Sequence, residues 1–74
     1  MDIWTYYTKA HNRADRKAER IGQAFFNLLA EVRPDLSEVI RATDKDPFYA
    51  EHRSPQWDRF IEFLEKNWDK KDSN

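Results

Sequence analysis

The stretch IGQAFFNLLAEVRP, residues 21–34, decides the fold. Ile21, Phe25, Leu28, Leu29 and Val32 recur at steps of three and four, the spacing of one helix face. Arg33-Pro34 closes it, because the residue before a proline is pushed out of the helical region. Read towards the N-terminus, Ala18, Ala14, Ala10, Tyr7 and Ile3 continue the same stripe. The pattern therefore predicts one long helix over 2–32. The alternative is a break near His11-Asn12, with Asn12 capping a helix that starts at Arg13 and residues 1–12 standing apart as a short helix or arm. Trp4, Tyr6 and Tyr7 also suit a short strand, but a lone strand has nothing to pair with.

Beyond Pro34, Leu36, Val39 and Ile40 give a short second helix, Pro34 to Arg41, one apolar face. Residues 43–53 read as a loop holding Asp44, Asp46, Pro47, Phe48 and Tyr49. It is long for so small a domain, and Phe48 and Tyr49 are its expected anchors, one or both packing into the core. Ser54 is a good N-cap with Pro55 behind it. Trp57, Phe60, Ile61, Leu64 and Trp68 form the buried stripe of the last helix, with Phe63 off that stripe. Residues 69–74 are polar and expected to fray. The whole is an all-α fold: a single domain over 1–74, with three helices and an aromatic-anchored loop before the last.

Composition supports this. The chain has 74 residues, three Trp, three Tyr and five Phe, but one glycine and no cysteine. A domain of this size buries only about 60% of its unfolded surface, so large rings, each burying roughly 150–250 Å², must supply the core. No disulfide can help. No apolar run approaches the ~20 residues that span a bilayer, and residues 1–10 lack the basic start and apolar run of a signal peptide. The expectation is a soluble intracellular protein with no membrane partner.

The net charge of −1 hides an asymmetry. Lys9, Arg13, Arg16, Lys17 and Arg20 crowd the first helix, whereas acids dominate from Asp35 onward. The field of such a dipole steers charged partners.

Chemistry-bearing constellations are few. His11 and His52 lack zinc spacing, and no metal or cofactor is expected. Asp44 and Asp46 lack the glycine and closing glutamate of a calcium loop; a turn before Pro47 is the simpler role. Gly22 lies within a helical pattern, not a phosphate loop, and suits close packing of another element. Ser37, Ser54 and Thr43 form no nucleophile–base signature. No enzyme activity is expected. Gln23 and Asn27 share a face and read as a polar latch on the crossing loop, with Thr43, Asp46, Phe48 and Tyr49 as its other members.

Residues 22–68 carry a further pattern: Gly22-Gln23 with Asn27, Val32-Arg33-Pro34-Asp35-Leu36, Ile40-Arg41 with Thr43, Asp46-Pro47-Phe48-Tyr49, and the late Phe60, Phe63 and Trp68. This resembles a loose set of small tailed-bacteriophage proteins. The resemblance implies a phage or prophage origin and no catalytic role. Small non-enzymatic phage proteins often bind and block a host protein, defence systems such as CRISPR effectors included. Residues 1–20 fall outside the resemblance and would supply specificity.

The expected partner-binding surface joins Trp4, Tyr6 and Tyr7 to Arg13, Arg16, Lys17 and Arg20, since Trp, Tyr and Arg most often dominate binding energy. The expected partner is a bacterial host protein, bound by a monomer or weak homodimer. Two alternatives use the same segment. A nucleic-acid accessory protein would use the basic strip, and a self-associating assembly protein would pair the stripe from Ile3 to Val32 with a second copy.

Overall fold

The computed structural model of the protein describes residues 1–69. Four α-helices and no strand occur among the described residues: α1 (Ile3–Lys17), α2 (Ile21–Val32), α3 (Pro34–Ile40) and α4 (Pro55–Asn67). The fold is the small all-α domain that the stripes imply. The frayed tail expected beyond Asp69 lies outside the described residues.

The first helix is not continuous over 2–32, nor does it break at Asn12. It ends at Ala18, which adopts the left-handed conformation (φ 53°, ψ 34°) and donates its N–H to Ala14 O. Glu19 N bonds the same carbonyl at 3.1 Å, and Arg20 is extended before α2 begins. A straight helix over 2–32 would be about 46 Å long and would leave its apolar stripe in water. Reversal at Ala18 lays that stripe against itself, so Tyr6 and Ala10 of α1 are fully buried with Phe25 and Leu29 of α2. Arg13 pins the reversal, bonding Glu19 in the turn at 3.1 Å and Glu31 on α2 at 2.7 Å.

The core is aromatic and centred on Phe25. Its ring meets Tyr6, His11, Trp57 and Phe60 edge-on, at centroid distances of 5.5, 5.2, 4.9 and 6.2 Å. Edge-to-face packing places positive ring edges on negative faces. The Tyr6 hydroxyl donates to the Phe25 carbonyl at 2.5 Å, which satisfies the one polar atom this ring carries inside.

Arg33 turns α2 into α3. Its guanidinium grips Asp35 at 3.0 and 2.9 Å, donates to the Trp68 carbonyl at the end of α4, and lies 5.4 Å from the Trp68 ring centroid. Trp68 Nε1 in turn donates to Met1 O at 3.1 Å. Ser54 caps α4 by accepting from Trp57 N at 3.2 Å. Trp57, Phe60, Leu64 and Trp68 are buried as the stripe requires, whereas Ile61 and Phe63 are half-buried against the core.

The loop between α3 and α4 is held differently from the expected latch. Thr43 and Asp46 tie the loop to itself: Thr43 Oγ1 donates to Ile40 O at 2.6 Å, and Asp46 accepts from Ala42 N at 2.7 Å and Phe48 N at 2.9 Å. Gln23 and Asn27 do not reach the loop. Gln23 Oε1 accepts from Arg20 N at 3.4 Å and Asn27 donates to Glu19 at 3.5 Å, so both serve the α1–α2 turn. Gln56 and Arg59 of α4 are the side chains that reach the loop backbone, donating to Asp46 O at 2.6 Å and Asp44 O at 3.1 Å. Phe48 packs edge-on against Phe26, but Tyr49 is 77% exposed and anchors nothing in the core. The deep anchors are Pro47 and Ala50, which lie against Gly22. A Cβ at Gly22 would stand 1.9 Å from Pro47 O.

Two stability outcomes follow. Gly22→Ala gains about 1 kcal/mol of helix propensity but forces the loop off α2, and overpacking costs about 1–3 kcal/mol or more. The variant should therefore unfold at lower urea, with its loop amides exchanging faster; a higher midpoint would refute this contact. Ala18→Gly relieves a left-handed alanine at an exposed helix end and should raise stability by about 0.5–1 kcal/mol in the same assay.

Candidate partner-binding surface

α1 has two unlike faces. Tyr6 and Ala10 point inward with no exposure. Trp4, Thr8, Lys9, Asn12, Arg16 and Lys17 are exposed. Trp4 is 69% exposed, one of four large apolar side chains open to solvent among the described residues. Its indole meets the Tyr7 ring edge-on at 5.6 Å, and the Thr8 hydroxyl bonds Trp4 O one turn back at 3.1 Å. Asp2 caps the helix by accepting from Thr5 N at 2.8 Å, and these Thr5 bonds hold its carboxyl below the usual range.

The expected seven-residue surface therefore divides. Trp4, Arg16, Lys17 and Arg20 are exposed and available. Tyr6 is not a surface residue: a helix turns about 200° over two positions, so Trp4 and Tyr6 face opposite ways. Tyr7 is half-buried, its ring against Tyr6 and Phe25. Its hydroxyl is buried with no hydrogen-bond partner among the described residues. Burial first, and then the Glu65 carboxylate, push this phenol up to about 12. Arg13 is a strut, not a free cation. Its bond to Glu31 is the leading influence holding its guanidinium protonated.

Two depressions run along the exposed face and share Lys9 and Asn12. One lies beside Trp4, Thr5 and Thr8; the other lies between α1 and α2, with Arg16 and Lys17 on one side and Leu28 and Glu31 on the other. The two adjoin at Lys9 and Asn12 and together form a trough that runs from Trp4 to Arg16, about 18 Å at a helix rise of 1.5 Å per residue, with Lys17 lining its end from the side that faces α2. Lys9, Arg16 and Lys17 make no ion pair among the described residues. Lys9, Thr8, Asn12 and Leu28 were not among the expected contact residues. The step of four from Trp4 through Thr8 and Asn12 to Arg16 was the available signal.

Elsewhere the surface offers less. His11 and His52 are exposed, with ring centroids 6.3 Å apart, each edge-on to a buried aromatic. Among the described residues no three metal-ligating side chains gather. Asp44 faces Lys45 and Arg59, while Asp46 closes its own turn. Another depression, along α4, mixes Arg53 and Arg59 with Asp58, Glu62 and Glu65. No described helix is long and apolar enough to cross a membrane. No family model, curated protein or solved structure matches the chain.

The tyrosines give the inward face a pH signature. An unfolded tyrosine releases its proton near pH ~10, whereas folded Tyr7 holds it to about 12 and buried Tyr6 holds it higher still. Above pH ~10 the unfolded chain binds fewer protons than the native one, so stability must fall as pH rises; below it the contribution is complete. Denaturant midpoints measured across this range should decline, and Tyr7→Phe should decline less steeply than the parent protein. Equal slopes would contradict the buried hydroxyl.

Proposed function

We propose that this chain is a non-enzymatic interaction module that binds a bacterial host protein through the outer face of α1. Its action would be to block or redirect that protein, as small phage proteins do to host machinery and to defence systems such as CRISPR effectors. The observation that carries the reading is Trp4. An indole 69% exposed sits on the same helix as a fully buried Tyr6, in a domain that otherwise buries its tryptophans to 6% exposure. Leaving so large an apolar ring in water gains the fold little, whereas a rigid aromatic anchor is the commonest source of binding energy at protein interfaces. The N-cap at Asp2 and the Tyr7 contact hold Trp4 on a formed helix, which lowers the ordering cost of binding.

The competing readings use α1 in other ways. A coiled coil with a second copy requires the stripe from Ile3 to Val32, which α1 and α2 bury against each other. Nucleic-acid binding retains Lys9, Arg16, Lys17 and Arg20, but Arg13 is already held by two carboxylates.

Trp4→Ala tests the reading. The variant should keep the parent's stability to within about 0.5 kcal/mol while losing about 2 kcal/mol of affinity for the host protein. The comparison is affinity capture from nuclease-treated bacterial lysate, with binding then measured on the captured protein. Undiminished capture would reject α1 as the contact. Capture that disappears with nuclease would favour nucleic acid.

A further inference from the structure

The trough on α1 has an apolar end and a cationic end, and this arrangement specifies what fits it. Trp4 closes one end. Lys9 stands about 8 Å along the helix and Arg16 and Lys17 about 18–20 Å along, at 1.5 Å per residue. These three cations have no carboxylate partner among the described residues, and Leu28 offers an apolar seat between the helices. We propose that the trough receives an acidic protein segment: an aliphatic or aromatic side chain covers Trp4, and carboxylates lie opposite Lys9 and the Arg16–Lys17 pair. This rests on the reading of α1 as the contact surface and adds the chemistry of what it contacts.

Charge complementarity argues for protein over nucleic acid. A continuous phosphate backbone would meet Asp2 beside Trp4 and Asp15 beside Arg16, which line the two depressions. Discrete carboxylates can face Lys9, Arg16 and Lys17 individually and leave those acids unopposed. An apolar side chain also has a place on Trp4 that a sugar–phosphate chain lacks. Like charges brought together at an interface cost several kcal/mol, so the two acids act against the wrong class of ligand.

The test uses the full chain and an immobilised array of 15-residue peptides. Each peptide carries one Leu or Phe and three Glu at varied spacings, and matched sets carry Ser or Lys in place of Glu. The parent protein should bind some Glu peptides about ten-fold more strongly than their Ser counterparts. Trp4→Ala should lose those signals. The combined Lys9→Glu, Arg16→Glu, Lys17→Glu variant should lose them and gain Lys peptides, whereas Lys9→Arg with Lys17→Arg should retain them. Circular dichroism checks that each variant is folded. Equal binding of Glu and Ser sets, or binding abolished by competing oligothymidylate at low salt, would overturn the acidic-segment proposal. If that happens while the Trp4-dependent host protein is still captured from lysate, only the chemistry of the ligand is wrong. Loss of both would remove the contact surface as well.

Discussion

Everything in this domain depends on the edge-to-face cluster around Phe25. Four rings from two helices present themselves to one side chain of α2: Tyr6 and His11 from α1, Trp57 and Phe60 from α4. Only Phe60 and Tyr6 are wholly buried among these neighbours, while His11 sits at the exposed margin. To bring Tyr6 there, α1 must reverse onto α2, and the Ala18 turn follows from that demand. Once Tyr6 faces inward, the 100° step of the helix sends Trp4 outward. The exposed indole is thus a geometric consequence of core formation, and its size and exposure give the outer face its proposed functional reading.

The remaining contacts close the cluster from its flanks. Gly22 lets the loop carbonyl of Pro47 approach α2 more closely than any side chain allows. Arg33 joins the start of α3 to the end of α4 through Asp35 and Trp68, and Trp68 carries the link to Met1. These ties engage Arg33 and Asp35. Arg13 is engaged likewise by Glu19 and Glu31. Among the described residues Lys9, Arg16 and Lys17 make no carboxylate pair, and they share α1 with the exposed Trp4, so the apolar and charged elements of the proposed contact surface lie on one helix.

The fold was largely legible in the sequence, and particular residues show why. Arg33-Pro34 and Ser54-Pro55 are boundary signals with local physical causes, and both boundaries lie where those signals place them. The stripe of α4 required only helical periodicity. The break at Ala18 was not legible, because alanine is the strongest helix former and carries no mark of a left-handed turn; tertiary packing imposes it. The candidate surface was legible in part. Trp4, Arg16 and Lys17 are where the sequence suggests, but Tyr6 was grouped with Trp4 by adjacency although two helical steps set them apart. Of the loop's two candidate anchors, the chain turns Phe48 inward and Tyr49 outward. Gln23 and Asn27 share a face as expected, yet their amides serve the nearer turn because Glu19 and Arg20 lie within reach first.

The most direct test of the division between an inward Tyr6 face and an outward Trp4 face is ¹⁹F NMR of the protein labelled with 5-fluorotryptophan. Its three tryptophans give three resonances, assigned by single Trp→Phe replacements. The account predicts that only Trp4 shows a solvent-isotope shift in the free protein, and that on adding the captured host protein Trp4 moves while Trp57 and Trp68 stay in place. A shielded Trp4 in the free protein, or a partner-induced change confined to Trp57 or Trp68, would contradict it.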